Sequence, residues 1–390
     1  MGTIPLKPPT TLEQQIERLR KRGMSIEDDI AQQWLSNISY YRLSAYWYPN
    51  RIITKNSDGQ ICRGDLFIPR TSFEDVIALY EADRKLRTFI HDGIERIEVA
   101  LRARIGELLV SEGSLSYRNK IIFRPNFKHE EWLETADKRV SRAMRRNESI
   151  KHYADQYGGQ YPFWVLADVL DFSDISKLYE GLKTTDQYKL AEDLGVNIDL
   201  NLLPANLRRK TLRSHPLVRW FEQLSIVRNT CAHHGRLWNK SFTPASTNAL
   251  RTVDGLSTLP DGQSGRIYGT LVLMAFLLRT ISPNSSWQGK VVNLLEDKFI
   301  PNPIVSMKSM GLPDSWIPFI GLIRIVILFN NLPFRVICSA KTVLSTSLRQ
   351  IYPAITMVNQ KVFTGGGVST SSKNAGSSRR APRSQRLRWT

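Results

Sequence analysis

The sequence predicts an all-α protein, a helical bundle with additional N-terminal helices and one small β-hairpin. Three observations carry that expectation. Apolar residues recur at steps of three and four, as in Leu86, Ile90, Ile94, Ile97, Leu101 and Ile105, the period of a helix that buries one face. Helix-start signals precede these runs: Thr10 and Thr11 stand before Glu13 and Gln14 at capping-box spacing, and Pro162 and Pro216 open further helical patterns. In the first half, only residues 50–72 break the helical pattern.

Each element follows in order. Ile16 and Leu19 begin an amphipathic helix that should stop near Gly23. Ser25 and Asp28 start another, carrying Ile30, Trp34, Leu35 and Ile38. The aromatic string Tyr40, Tyr41, Tyr46, Trp47, Tyr48 ends at Pro49. With Arg42 and Arg51 it could stack on bases; a packed junction between helices is the favoured use. Asn56-Ser57-Asp58-Gly59 is a turn signal between strand-like pieces. From Phe73 a helix runs to about Val110, with Asp92-Gly93 as a place to bend or split it. Residues 129–157 are polar and charged. Pro162 then opens a helix bearing Trp164, Val165, Leu166, Val169, Leu170 and Phe172, and another follows through Ile175, Leu178 and Tyr179. Leu203-Pro204 lies in a connector, Pro216 begins the next helix, 240–264 reads as loop, and 266–282 as an apolar helix. No repeat of fixed period is present. The organisation expected is 1–72 as a helical region with the hairpin, 73–316 as the bundle, and 317–390 as an atypical tail.

The 390-residue chain is 42% apolar and carries a net charge of +18, an excess that favours a polyanion such as nucleic acid. Residues 317–390 hold eleven basic residues and no acidic one, which leaves the first 316 residues at +7. That tail is either a cationic arm for RNA phosphates or a non-native extension from a shifted reading frame; little order is expected beyond about residue 360. Cys62, Cys231 and Cys338 are widely spaced and odd in number, which argues against a disulfide framework or a zinc site. No apolar run reaches the roughly 20 residues of a membrane helix, and the N-terminus lacks the core of a signal peptide. A soluble cytoplasmic protein is expected, with no membrane partner. No phosphate-binding glycine loop and no metal-ligand spacing is present, so neither cofactor nor metal is expected.

The densest chemistry lies in residues 228–239, RNTCAHHGRLWN. A guanidinium can hold phosphate or its transition-state charge, and an imidazole can move a proton near neutral pH. On a helix, Trp220, Leu224, Val227 and Cys231 form one apolar stripe. With Arg228 at zero, the stripe centres near about 290°, His234 falls at about 240° and His233 at about 140°. His234 therefore reads as a packed or hydrogen-bonded histidine, whereas His233 projects outward with Asn229 beside it. Gly235 should stop the helix, Trp238 should pack, and Asn239 should cap. An outward catalytic histidine makes sense where a second subunit covers it across a two-fold axis. A second Arg-to-His spacing, Arg84 to His91, reads as structural. Glu98 and Arg102 form an i,i+4 pair on the long helix.

RNTCAHHGRLWN resembles the signature of the Abi family of bacterial abortive-infection proteins, of the D and F type, and the R-x4-6-H motif of the HEPN superfamily. LEQQIERLRKRGMSI, NISYYRLSAYWYP, DRKLRTFIHDGIERIEVALRARI, YPFWVLADVLDFSDISKLYEGL and MGLPDSW resemble other family segments in the same order, although Ser173 stands where a glycine is often found. The similarity covers roughly residues 5–316 and ends after Trp316. It implies a HEPN-like bundle that forms a homodimer and cleaves RNA without metal, the 2′-hydroxyl attacking the adjacent phosphate. By that analogy Arg228, Asn229 and His233 would be catalytic, with His234, Glu98 and Arg102 supporting. The motif admits either histidine as the essential one; the helix geometry favours His233. The role implied is phage defence, restrained before infection by a regulatory RNA, an antitoxin-like partner or an infection signal. A non-catalytic RNA- or partner-binding module is the alternative.

Overall fold

The computed structural model describes residues 8–55 and 59–313. The tail from 317, and Asn56, Ser57 and Asp58 of the expected turn, lie outside the described residues. Among those described, fourteen α-helices and two small antiparallel sheets occur, so the all-α expectation with a small hairpin holds.

The N-terminal helices are α1 (Leu12–Lys21), α2 (Asp28–Ile38) and α3 (Tyr40–Trp47). Thr11 and Gln14 close a reciprocal capping box on α1, and the chain leaves it through Gly23, whose φ of +88° only glycine adopts cheaply. Ser25 does not start α2, as the sequence suggested. Its backbone instead pairs with Thr71 and Phe73, bonding to both. The aromatic string splits by exposure. Tyr46 and Trp47 are buried while Tyr41 is 89% exposed, as a junction between helices requires.

Strands β1 (Arg51–Lys55) and β2 (Ile61–Phe67) then form the hairpin, with a register shift between Arg51 and Ile53. Helix α4 (Phe73–Val110) follows, capped by the Ser72 hydroxyl. It is unbroken over 38 residues, or about 57 Å. The helix is not split at Gly93. Gly93 serves a different purpose, because a Cβ there would lie 2.6 Å from the Met274 side chain and 2.8 Å from the Trp287 indole nitrogen.

The polar stretch after α4 holds two helices, α5 (His129–Ala143) and α6 (Glu148–Gln156). Trp132, Ala136 and Val140 on α5 are buried and step by four, a narrow apolar stripe that the surrounding charge obscured. The helix expected from Pro162 is divided. Helix α7 (Phe163–Leu166) passes into a 3-10 turn, Leu170 is extended, and α8 (Phe172–Gly181) starts afresh under an Asp171–Asp174 capping box. Next come α9 (Thr184–Asp193), α10 (Ala205–Arg213) and α11 (Leu217–Ala232). The expected loop 240–264 contains two short paired strands, β3 (Ala245–Ser246) and β4 (Gln263–Ser264). Helices α12 (Ile267–Ile281), α13 (Trp287–Leu294) and α14 (Met307–Met310) complete the described chain.

Helix α4 is the axis of the bundle and touches α3, α7, α8, α11, α12 and α13. On α12 every residue from Ile267 to Leu278 is buried, so that helix has no polar face and sits inside the core. A single cluster of buried apolar residues runs from Ile16 to Leu312. The N-terminal helices therefore share their core with the bundle. No described helix is long and apolar enough to cross a membrane.

Candidate functional site

Helices α4 and α11 place the chemistry-bearing residues. The α11 stripe Trp220, Leu224, Val227 and Cys231 is buried as expected, which sets the direction of the residues beside it. Burial also pushes the Cys231 thiol up to about 12, so it is no nucleophile near neutral pH. On α4, residues Arg84, Thr88, His91, Glu95, Glu98 and Arg102 follow steps of four and three and form a polar stripe beside α11.

Two adjoining grooves lie over that stripe. One, of about 630 Å³, is lined by Thr88, His91, Glu95, Glu98, Arg102 and Arg228 among others. The second, of about 550 Å³, includes Thr88 and His91 again, with Arg42, Arg84, Ala232 and His234. Thr88 and His91 thus belong to both. His91, which the sequence suggested as structural, is half-buried and lines both grooves. The i,i+4,i+7 polar stripe was the sequence signal for it.

Arg228 is half-buried and its Nη1 donates to Asn229 Oδ1 at 3.3 Å. Glu98 and Arg102 form a hydrogen-bonded ion pair, and Arg102 also donates to the Leu170 carbonyl at 2.6 Å. Their side chains are only 11% and 22% exposed, so this is not a plain surface pair. Burial raises Glu98 above the ordinary carboxylate range, while the charges of Arg102 and Arg228 oppose the shift. Arg228, Glu98 and Arg102 are thus brought together in one groove.

His233 is not brought into it. Helix α11 ends at Ala232, and His233 is the C-cap, exposed, with its N–H bonded to the Asn229 carbonyl at 3.0 Å. His233 lines neither of the two grooves. His234 is also exposed, so of the packed or hydrogen-bonded position expected only the hydrogen bonding is found. Its backbone rather than its ring is engaged: its N–H reaches Cys231, and its carbonyl accepts from Arg42. Its φ of +55° is left-handed, a position usually held by glycine at a helix end. Gly235 follows with an N–H bond to the Thr230 carbonyl at 2.7 Å. The helix is therefore stopped by His234, and Gly235 is needed for close approach, since a Cβ would meet the Thr230 methyl at 2.7 Å.

The segment after the motif is clamped by residues that the sequence reading overlooked. Asp83 on α4 is fully buried. Its carboxylate accepts from Tyr46 Oη at 2.8 Å, Arg87 Nη1 at 2.7 Å, and the N–H groups of Leu237 and Trp238 at 3.2 and 2.9 Å. Arg87 also donates to the Gly235 carbonyl at 3.3 Å, and Arg236 donates to the Ala45 carbonyl. Burial raises the Asp83 carboxyl and its donors oppose this, Arg87 foremost. Every one of these partners is a donor, the arrangement an ionised carboxylate requires. Trp238 packs, with 1% exposure. Asn239 does not cap, because its Oδ1 is buried without a hydrogen-bond partner among the described residues.

A family model described as Abi-like protein matches residues 33–239, from α2 to the end of the clamped segment and more than half of the chain. No curated protein and no solved structure matches. The matched span begins before the aromatic string and closes on Asn239, so it takes in both grooves, the Asp83 clamp and the whole of RNTCAHHGRLWN. The chain belongs to the Abi-like protein family, the abortive-infection type.

Proposed function

We propose that this protein is a metal-independent endoribonuclease of the HEPN kind, acting in phage defence through Arg228 and His233 at a homodimer interface. The observation that carries the reading is the half-buried Arg228 set against Glu98 and Arg102, five residues before an exposed His233 at the helix C-cap. A helix end of this kind meeting its two-fold mate would set two Arg–His pairs in one cleft.

In that cleft the RNA 2′-hydroxyl attacks the neighbouring phosphorus and the bond to the 5′-oxygen breaks. The products carry a 2′,3′-cyclic phosphate and a 5′-hydroxyl. His233 acts as general base or acid for the protons involved. Arg228 steadies the charge on the phosphoryl oxygens, and Asn229, to which Arg228 donates, orients the guanidinium. Glu98 and Arg102 hold the groove behind it, and His234 flanks it.

One observation favours the second reading, a module that binds RNA or a partner without cutting: within one subunit His233 stands outside the grooves that Arg228 and His234 line. Cleavage of generic RNA in the presence of chelator separates the two. Wild type should give cyclic-phosphate ends, and Arg228→Ala and His233→Ala should each lose about a hundredfold or more in rate. A parallel His234→Ala variant tells the two imidazoles apart. Binding without cleavage would establish the second reading, and a divalent-metal requirement would overturn the chemistry proposed. A regulatory RNA or antitoxin-like protein that restrains the enzyme would bind the wild type and suppress this activity.

A further inference from the structure

The end of α5 and the turn that follows it carry Arg139, Arg142, Arg145 and Arg146 within eight residues. All four line a groove of about 660 Å³, closed by Ala143, Asn147 and Val169. Arg139 is held by Asp171 at 2.5 Å and Asp174 at 2.8 Å. Arg142 reaches Asp171 only at 3.8 Å and is 67% exposed. Arg145 and Arg146 are exposed and form no ion pair among the described residues. Basic residues at a helix C-terminus do complement its dipole, which explains why α5 tolerates them. It does not explain why all four surround one concavity.

This groove and the Arg228 groove share no lining residue, but the Leu170–Asp171 peptide ties an arginine of one to the arginines of the other. The Leu170 carbonyl takes the Arg102 guanidinium from one side. The next residue, Asp171, takes Arg139 and Arg142 from the other, and its charge acts on Glu98. The break between α7 and α8 leaves Leu170 extended and its carbonyl open to Arg102. A strand leaving the Arg228 groove over Leu170–Asp171 would meet Arg142, Arg145 and Arg146 next. Guanidinium forks match phosphate oxygens in bidentate geometry, and several in succession suit a repeating phosphodiester better than a single small anion.

We infer that the arginine-lined groove at the end of α5 is an extended binding site for the phosphate backbone of single-stranded RNA whose scissile region lies against Arg228. The inference rests on the ribonuclease reading for its substrate, and it names the part of the protein that grips the strand away from the chemistry. Arg145 and Arg146 contribute charge and not sequence discrimination, because backbone contacts position a strand without reading its bases.

The test uses the full-length protein, a labelled RNA of about twelve nucleotides and a dinucleotide of the same chemistry, with the double variant Arg145→Ala/Arg146→Ala. Affinity for the longer RNA, measured by fluorescence anisotropy, should fall at least roughly tenfold relative to affinity for the dinucleotide. The slope of log affinity against log salt should become shallower by roughly 1.4, at about 0.7 for each single-strand phosphate that is no longer neutralised. Unchanged long-RNA affinity and salt slope would overturn the groove assignment while leaving cleavage by the wild type, and hence the ribonuclease reading, intact. Wild type that neither binds nor cleaves any RNA would remove both. Polyglutamate of matched charge that competes better than RNA would replace the strand with an acidic protein segment. A circular-dichroism melt of the variant that matches wild type shows that the fold is kept; a lowered melt transfers the measurement to Arg145→Lys/Arg146→Lys, which keeps the charge and should restore the salt slope.

Discussion

His215 is 1% exposed, and its Nδ1 accepts the Leu217 N–H at 3.2 Å at the start of the motif helix. That bond requires a neutral ring. Burial pushes the imidazole down from its ordinary 6.5 to about 3. The unfolded chain therefore takes up this proton at about 6.5 and the folded chain only near 3, so stability falls as pH drops through that window. The slope is at most about 1.4 kcal/mol per pH unit. His215→Asn keeps a local acceptor for the Leu217 N–H and removes the titration. Its urea midpoint should decline less between about pH 6.5 and pH 4 than that of wild type; equal declines would refute the assignment. At the candidate site, sequence periodicity gives the direction of residues on α11 and fails past its end. The sides on which Arg228 and Asn229 stand were legible because three- and four-residue steps fix the buried side of α11. His233, His234 and Asn239 all lie beyond Ala232, where a helical wheel no longer applies: His233 is exposed as expected, whereas His234 is not packed and Asn239 does not cap.

Among the elements, α4 shows how a local signal can be overruled. Glycine ordinarily costs a helix about 1 kcal/mol against alanine, and Asp92-Gly93 therefore suggested a break. The helix runs through because the missing Cβ admits Met274 and Trp287, whose indole donates to the Phe89 carbonyl. Gly93→Ala should thus lower stability by about 1–2 kcal/mol, overpacking outweighing the gain in propensity. Thermal melts followed by tryptophan fluorescence would check it, and an unchanged or raised melting temperature would show that α13 can shift aside at little cost. Helix α5 illustrates the opposite case. Its buried stripe of Trp132, Ala136 and Val140 was present in the sequence, yet one small residue among dense charge hid the period. The division of α7 from α8 was also written there, in the Asp171–Asp174 capping spacing, but the apolar residues on either side of Asp171, Val169, Leu170 and Phe172, masked it. Pairing of β3 with β4 had no local signal, since two-residue strands hold no alternation to read.

Over the molecule as a whole, one core joins the N-terminal helices to the bundle, and the Asp83 clamp is the polar counterpart of that union. It draws on Tyr46 of α3, on Arg87 of α4 and on the backbone after α11. Removing the negative charge leaves Arg87 6% exposed with no compensating ion. Asp83→Asn should therefore cost about 3–5 kcal/mol in urea unfolding, and a loss under about 1 kcal/mol would mean that Arg87 finds other partners. The partners of Asp83 were not legible because Asp83 and Leu237 stand 154 positions apart and neither announces the other. That separation bears on how the chain must be assembled. A fragment that stops short of residue 235 presents an open, charged socket in an otherwise oily cleft. Halves produced by cutting the chain anywhere between α4 and α11 should reunite only when the missing loop returns to fill it.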